Sequence, residues 1–193
     1  KEQLSVLDIG SGRGELLKIL SKNGHSVVGI DMDTECVEMG NLYGKCFLAE
    51  IDDLPVKFQQ GQFDVIVCSH VLEHLPNPYQ ALTLMRQLEP KLVILAVPNP
   101  LRPIRILRAI FNSKRGDHHE HLYSWGHAEL IRLCEESGFT LITSETERVT
   151  INPFKGKIAY LLSIFLSSIE VKILPTILPM LGSSIILVLK KNN

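Results

Sequence analysis

The sequence predicts a doubly wound parallel α/β sheet of about seven strands, and three observations carry that prediction. Strand and helix signals alternate along the chain, as crossover connections between parallel strands require. An apolar run, Val6-Leu7-Asp8-Ile9, breaks into three alternating glycines, Gly10, Gly12 and Gly14, and then opens a helix. A second strand ends on Asp31, about 20 residues further on, where an acidic side chain can accept both hydroxyls of a ribose.

The elements follow in order. Leu4–Ile9 reads as strand one, and Glu15–Ser21 as an amphipathic helix with Leu16, Leu17, Ile19 and Leu20 inward, stopped at Asn23-Gly24. Ser26–Asp31 is strand two. Thr34–Asn41 is a short helix whose natural cap is Asp33. Cys46–Glu50 is strand three and Phe63–Ser69 strand four. Asn77 followed by Pro78 supplies a cap and a first-turn proline for a helix to Leu88. Lys91–Val97 is strand five, Gly126–Ser137 a helix closed by Gly138, Phe139–Val149 strand six, and Ser184–Leu189 a last apolar strand.

Two inserts interrupt the alternation, at about residues 101–120 and 153–182. Pro103–Asn112 reads as a basic amphipathic helix, with Arg102, Arg105 and Arg108 three apart beside Ile104, Leu107, Ile110 and Phe111. Ile158–Ile169 and Ile173–Leu181 are almost wholly apolar, but Glu170 and Lys172 between them leave neither long enough to span a bilayer. They are read as helices covering the sheet, or as a hydrophobic cover for a lipid-like ligand or a membrane-surface face.

The 193 residues suit one domain, 1–193, and 20 Lys plus Arg against 21 Asp plus Glu argue against nucleic acid as a partner. Cys36, Cys46, Cys68 and Cys134 form no CxxC pair and read as reduced thiols of a cytoplasmic protein. The opening Lys1-Glu2-Gln3-Leu4 does not read as a signal peptide.

The glycine run discriminates between nucleoside cofactors. A dinucleotide fingerprint needs its third glycine at position 15, which is Glu15, and an acid at that helix start suits a pyrophosphate poorly. The spacing Asp8-x-Gly10-x-Gly12-x-Gly14 instead resembles motif I of the class I S-adenosylmethionine-dependent methyltransferases. A second resemblance lies in Phe63-Asp64-Val65-Ile66, followed by Val71-Leu72-Glu73-His74, which is similar to F-D-V-I-x-x-x-x-V-L-E-H of the same superfamily. The small type grouped with the ubiquinone-pathway O-methyltransferases is the nearest resemblance. Leu92–Asn99 ending in V-P-N, and Glu120-His121-Leu122-Tyr123-Ser124-Trp125 before Leu130 and Gly138-Phe139, agree with it. The resemblance covers roughly residues 4 to 149.

The resemblance implies a Rossmann-like, mostly parallel seven-stranded sheet with its final strand antiparallel, and S-adenosyl-L-methionine as cofactor. It assigns Asp8, Gly10, Gly12, Gly14, Asp31, Met32, Glu50, Ile51 and Cys68 to the cofactor, with Glu50 and the Ile51 amide at the adenine edge. Glu50 stands where the group carries Asp, so Asp52 and Asp53 are alternatives. Members usually carry helices ahead of the first strand, whereas this sequence opens almost on it.

His70-Val71-Leu72-Glu73-His74 also satisfies the H-x-x-E-H pattern of inverted zinc proteases. That motif needs a long helix, and Pro76 and Pro78 follow at once. The ubiquinone-pathway relatives carry E-x-x-E-H, associated with magnesium; His70 replaces the first acid, which weakens a hard-cation site, so no metal ligand is assigned. His70, His74 and His121 are the candidate bases for a hydroxyl acceptor, since a histidine near its ordinary pKa can take that proton. The expected activity is methyl transfer, most simply to oxygen of a small-molecule or amphiphilic acceptor, with peripheral membrane contact as a corollary of the arginine stripe. A non-catalytic S-adenosylmethionine-binding partner protein of the same fold and a nucleotide-binding oxidoreductase are the alternatives.

Overall fold

A computed structural model describes residues 2–103, 105–106, 121–146 and 179–192. Seven strands form a single sheet: β1 Ser5–Ile9, β2 Ser26–Asp31, β3 Lys45–Leu48, β4 Val65–Ser69, β5 Leu92–Pro98, β6 Phe139–Thr146 and β7 Ser184–Lys191. Their order is β3-β2-β1-β4-β5-β7-β6. The first five pair in parallel, and β7 runs antiparallel to both β5 and β6, as the family resemblance implies. Chain order reverses at β1, which has β2 on one side and β4 on the other, so the carboxyl ends of these strands open a crevice there.

Five helices accompany the sheet among the described residues: α1 Glu15–Lys22, α2 Thr34–Gly40, α3 Leu54–Lys57, α4 Pro78–Gln87 and α5 His127–Glu136. Both predicted caps form. The Asp33 carboxylate accepts from the Glu35 and Cys36 amides, and the Asn77 side-chain oxygen accepts from Gln80 N. The four-residue α3 was not expected, and β3 stops at Leu48, leaving Glu50 to cap a 3-10 turn over Ile51–Asp53. In α1 only Leu17 is fully buried, and Ile19 is 57% exposed, which corrects the broader inward face expected of that helix.

Parallel strands covered on both faces are mostly apolar, and Leu7, Ile66, Val93 and Leu95 are completely buried, as is Leu187 on the antiparallel β7; Asp8 is the buried exception on β1. Asp64 anchors the opposite end of the sheet from the crevice. Its carboxylate meets Lys91 Nζ at 2.8 Å and accepts from the Ser5 amide and hydroxyl, which together hold it below the usual carboxylate range. The acid of the F-D-V-I motif is thus a strand-pairing residue.

The expected basic helix at Pro103–Asn112 and the apolar helices at Ile158–Ile169 and Ile173–Leu181 lie outside the described residues, apart from 103, 105–106 and 179–181. No helix among the described residues is long and apolar enough to cross a membrane. All four cysteines are free thiols.

Candidate active site

The crevice at the reversal point is a cavity of about 970 Å³. Its wall brings together Gly10, Asp31, Met32, Glu50, Ile51, His70 and His74 from the sequence-derived set. Asp33, Asp52, Val71, Asn77 and Gln80 join them, and sequence reasoning had given none of the last three a place in the site. Asp8, Gly12, Gly14, Cys68 and His121 lie off the wall.

The backbone builds the glycine turn first. Gly10 N and Ser11 N both donate to Ile30 O, tying the turn to the end of β2. Asp31 continues the tie: its Oδ2 accepts from Gly12 N at 2.8 Å and its Oδ1 from Asp33 N at 3.0 Å. Each carboxylate oxygen keeps a further lone pair for a ligand hydroxyl.

The three glycines of the turn all have positive φ, but they are glycines for different reasons. A Cβ on Gly10 would overlap the Val71 Cγ2 methyl, so this glycine lets the loop after β4 lie against the turn. A Cβ on Gly14 would stand 2.9 Å from Gly40 Cα, so this one allows α1 and α2 to approach closely. A Cβ on Gly12 would meet nothing within 4 Å, which leaves an open space above the backbone for a ligand. Gly10→Ala and Gly14→Ala are therefore each expected to cost about 2–3 kcal/mol of stability, from overpacking added to left-handed strain. Gly12→Ala should cost only about 1 kcal/mol of stability, the strain alone, while weakening cofactor binding. Thermal denaturation beside calorimetry would separate the two effects; equal loss of stability in all three variants would contradict this division.

The charge of the wall is one-sided. Asp31, Asp33, Glu50 and Asp52 face it, and no lysine or arginine does among the described residues. Beneath them Asp8 is 4% exposed, and burial first, then the neighbouring Asp31 charge, push its carboxyl up to about 7. A pyrophosphate would find no counter-charge here, whereas a ligand carrying a sulfonium and an ammonium would. At the Glu50 end of the wall the Glu50 carboxylate accepts from the Asp53 amide, Asp53 answers by accepting from Glu50 N at 3.0 Å, and Gln80 donates to Asp52 at 3.0 Å. Met32 is 77% exposed at the rim. Cys68, expected at the cofactor, is 1% exposed inside the sheet, its thiol pushed up by burial. Strand alternation aims it into the core.

The V-L-E-H segment leaves β4 by an unusual route. His70 takes a left-handed conformation, φ 56°, donates its amide to Ala96 O, and is followed by a single 3-10 turn at Leu72–His74. No zinc-protease helix forms. The turn places Glu73 inside, 1% exposed, with His70 Nδ1 3.4 Å and His74 Nε2 4.0 Å from its Oε1. On its other side the His70 ring meets the Ser184 hydroxyl of β7 at 3.3 Å. Leu122 N and Tyr123 N both donate to Glu73 O, and Tyr123 Oη donates to Pro76 O, which brings His121 edge-on against His74 with ring centroids 4.8 Å apart. His70 and His74 thus face the cavity, and His121 stands behind His74.

A family model described as a methyltransferase domain matches residues 1–144. The ubiquinone biosynthesis O-methyltransferases of Escherichia coli and Shigella boydii are each 30% identical over 89 residues, covering 43% of this chain and 37% of theirs. The chain therefore spans little more than a third of the length of these curated relatives. Among solved structures, a SAM-dependent methyltransferase from Archaeoglobus fulgidus aligns with a TM-score of 0.69 at 18% identity, over 99% of this chain and 87% of that one. The magnesium protoporphyrin IX methyltransferase of Synechocystis PCC 6803 with bound SAH aligns at 0.64 and 15% identity, over 98% and 74%. At such identities the solved structures speak to the fold.

Proposed function

The chain belongs to the methyltransferase-domain family, and from that premise we propose that it moves the methyl group of S-adenosylmethionine to a hydroxyl of a small or lipid-like acceptor. The observation that carries this reading is the cavity itself. Its acidic wall suits a cationic nucleoside cofactor, and two histidines, His70 and His74, line it as well. Asp31 takes the ribose hydroxyls, Glu50 and the Ile51 amide take the adenine edge, and Met32 lies against the adenine face. The turn at Gly10 and Gly12 gives the amino-acid end of the cofactor room at the backbone, with the Asp8 charge beneath it. The 30% identity to ubiquinone biosynthesis O-methyltransferases over 89 residues supports oxygen as the methylated atom.

Transfer is an in-line displacement. The acceptor oxygen bonds to the methyl carbon as the carbon–sulfur bond breaks, and its electron pair stays on sulfur, leaving S-adenosylhomocysteine. The sulfonium is already a strong leaving group, so the protein contributes alignment and exclusion of water. His70 is the best-placed proton acceptor of the three histidines, since it lines the cavity with its side chain 46% exposed and is held between Glu73 and Ser184.

His70→Asn tests that role, because asparagine tolerates the left-handed backbone that His70 adopts. It is expected to lower kcat by about 10²-fold with little change in cofactor Kd. An unchanged kcat removes His70 from the proton path. Labelled methyl transfer to phenolic and polyprenyl-phenol acceptors tests the acceptor class. No transfer to any of them would favour a cofactor-binding partner protein. Co-sedimentation with anionic vesicles tests the peripheral membrane contact expected from the arginine stripe at Arg102, Arg105 and Arg108, and no binding would remove it.

A further inference from the structure

The family resemblance associates this loop with magnesium, and the residues present do not fit it. A hard cation of that kind takes oxygen ligands in near-octahedral geometry. Here the loop offers one carboxylate, and the side chains beside it are imidazoles. We propose that Glu73, His74 and His121 instead hold a borderline divalent metal ion of the zinc or cobalt class.

Three observations carry this. One ligand atom from each of the three residues can be chosen so that all lie within 4.8 Å of one another. Glu73 is 1% exposed, and among the described residues neither of its carboxylate oxygens has a formed hydrogen bond, the imidazoles of His70 and His74 standing 3.4 Å and 4.0 Å from Oε1. A buried carboxylate with only such loose contacts is disfavoured, and a coordinated cation would resolve it. The third observation is the backbone. The two amide bonds from Leu122 and Tyr123 to Glu73 O fasten the His121 segment to the Glu73 turn, so the spacing of the three ligands is set by main chain. His74, on the cavity wall and 34% exposed, gives the ion a way in.

The donor set decides the metal class. Two nitrogens and one oxygen match zinc sites that leave a fourth position open, and imidazole suits zinc, copper, iron and nickel where carboxylate and water suit magnesium. His121 lies 47 positions beyond His74 in the chain, so the H-x-x-E-H pattern could not announce it. The ion would clamp the loop after β4 to the segment ahead of α5.

The test uses the full chain, stripped with a chelator and dialysed against Zn²⁺, with and without a hundredfold excess of Mg²⁺. One zinc per chain should be retained in both conditions, and Co²⁺ loaded in its place should show visible d–d absorption. Glu73→Gln and His121→Ala should each lower zinc affinity at least tenfold. Equal displacement by Mg²⁺, no retained zinc, or zinc retained in both variants would overturn the proposal. S-adenosylmethionine affinity is measured on the same samples. Because the inference shares its loop with the proposed function but not the cofactor contacts, intact cofactor binding with lost zinc in His121→Ala supports the metal site. Should His121→Ala not fold, His121→Gln serves in its place. Wild-type protein that retains zinc but does not bind S-adenosylmethionine would sink the methyltransferase reading alone.

Discussion

Replacing Asp31 with alanine is expected to weaken S-adenosylmethionine binding by about 10²–10³-fold. The carboxylate acts both within the structure and on a ligand. One oxygen accepts from Gly12 N and the other from Asp33 N, so the side chain is held rigidly at the cavity wall before any cofactor arrives. Two ribose hydroxyls would then form charge-assisted bonds worth about 1.5–3 kcal/mol each. Alanine removes both bonds and also releases the Gly12 amide that the carboxylate anchors. Asp31→Asn keeps a single acceptor oxygen and loses the charge, so it should fall between alanine and wild type. Titration calorimetry reads both. Affinity within a factor of three of wild type in the alanine variant would remove the ribose contact from this residue.

Without cofactor, the protein should lose stability as pH rises from about 4 to about 7, and Asp8 should be the cause. Burial and the Asp31 charge raise this carboxyl from 3.8 to about 7 in the folded chain. Across that window the folded state keeps a proton that the unfolded chain has released. The contribution is complete below the unfolded value and vanishes as pH passes the folded one. It amounts to about 4 kcal/mol over the whole window and about 2 kcal/mol between pH 5.5 and 8. Asp8→Asn, a near-isosteric and permanently neutral side chain, should flatten the dependence by that amount in chemical denaturation. Parallel pH curves for the two proteins would refute the assignment. Cofactor should act in the opposite direction, since a bound ammonium favours the carboxylate. Binding near neutral pH should therefore release a proton, visible as a dependence of the calorimetric heat on buffer ionisation enthalpy.

Features decided by neighbours in the chain were legible in the sequence. Asp33 and Asn77 cap their helices because a side-chain oxygen needs only the amides two or three places on. Asp31 was separable from Asp33 for the same reason: it ends a strand, while Asp33 precedes a helix. The prolines after His74 foretold the absence of a long helix, and a single 3-10 turn forms there. Features decided by distant packing were not legible. Gly14 looked like a ligand-facing glycine, yet Gly40, 26 positions away, explains it. Cys68 was expected at the cofactor, but the alternation of β4 turns it into the core.

The sequence by itself determined the alternation of strands and helices and a glycine turn suited to a nucleoside, which rest on local period and on spacings inside single strand–turn–helix units. The antiparallel last strand and S-adenosylmethionine as the cofactor came from the resemblance of its motifs to a family. Only the tertiary structure decided that the crevice wall is acidic with no lysine or arginine on it among the described residues, that Val71 closes on Gly10, and that β7 brings Ser184 to His70. It alone set His121 beside His74 and the buried Glu73. Those contacts join residues separated by tens to more than a hundred positions, and they exist only once the whole sheet has packed and its order placed β7 against β5.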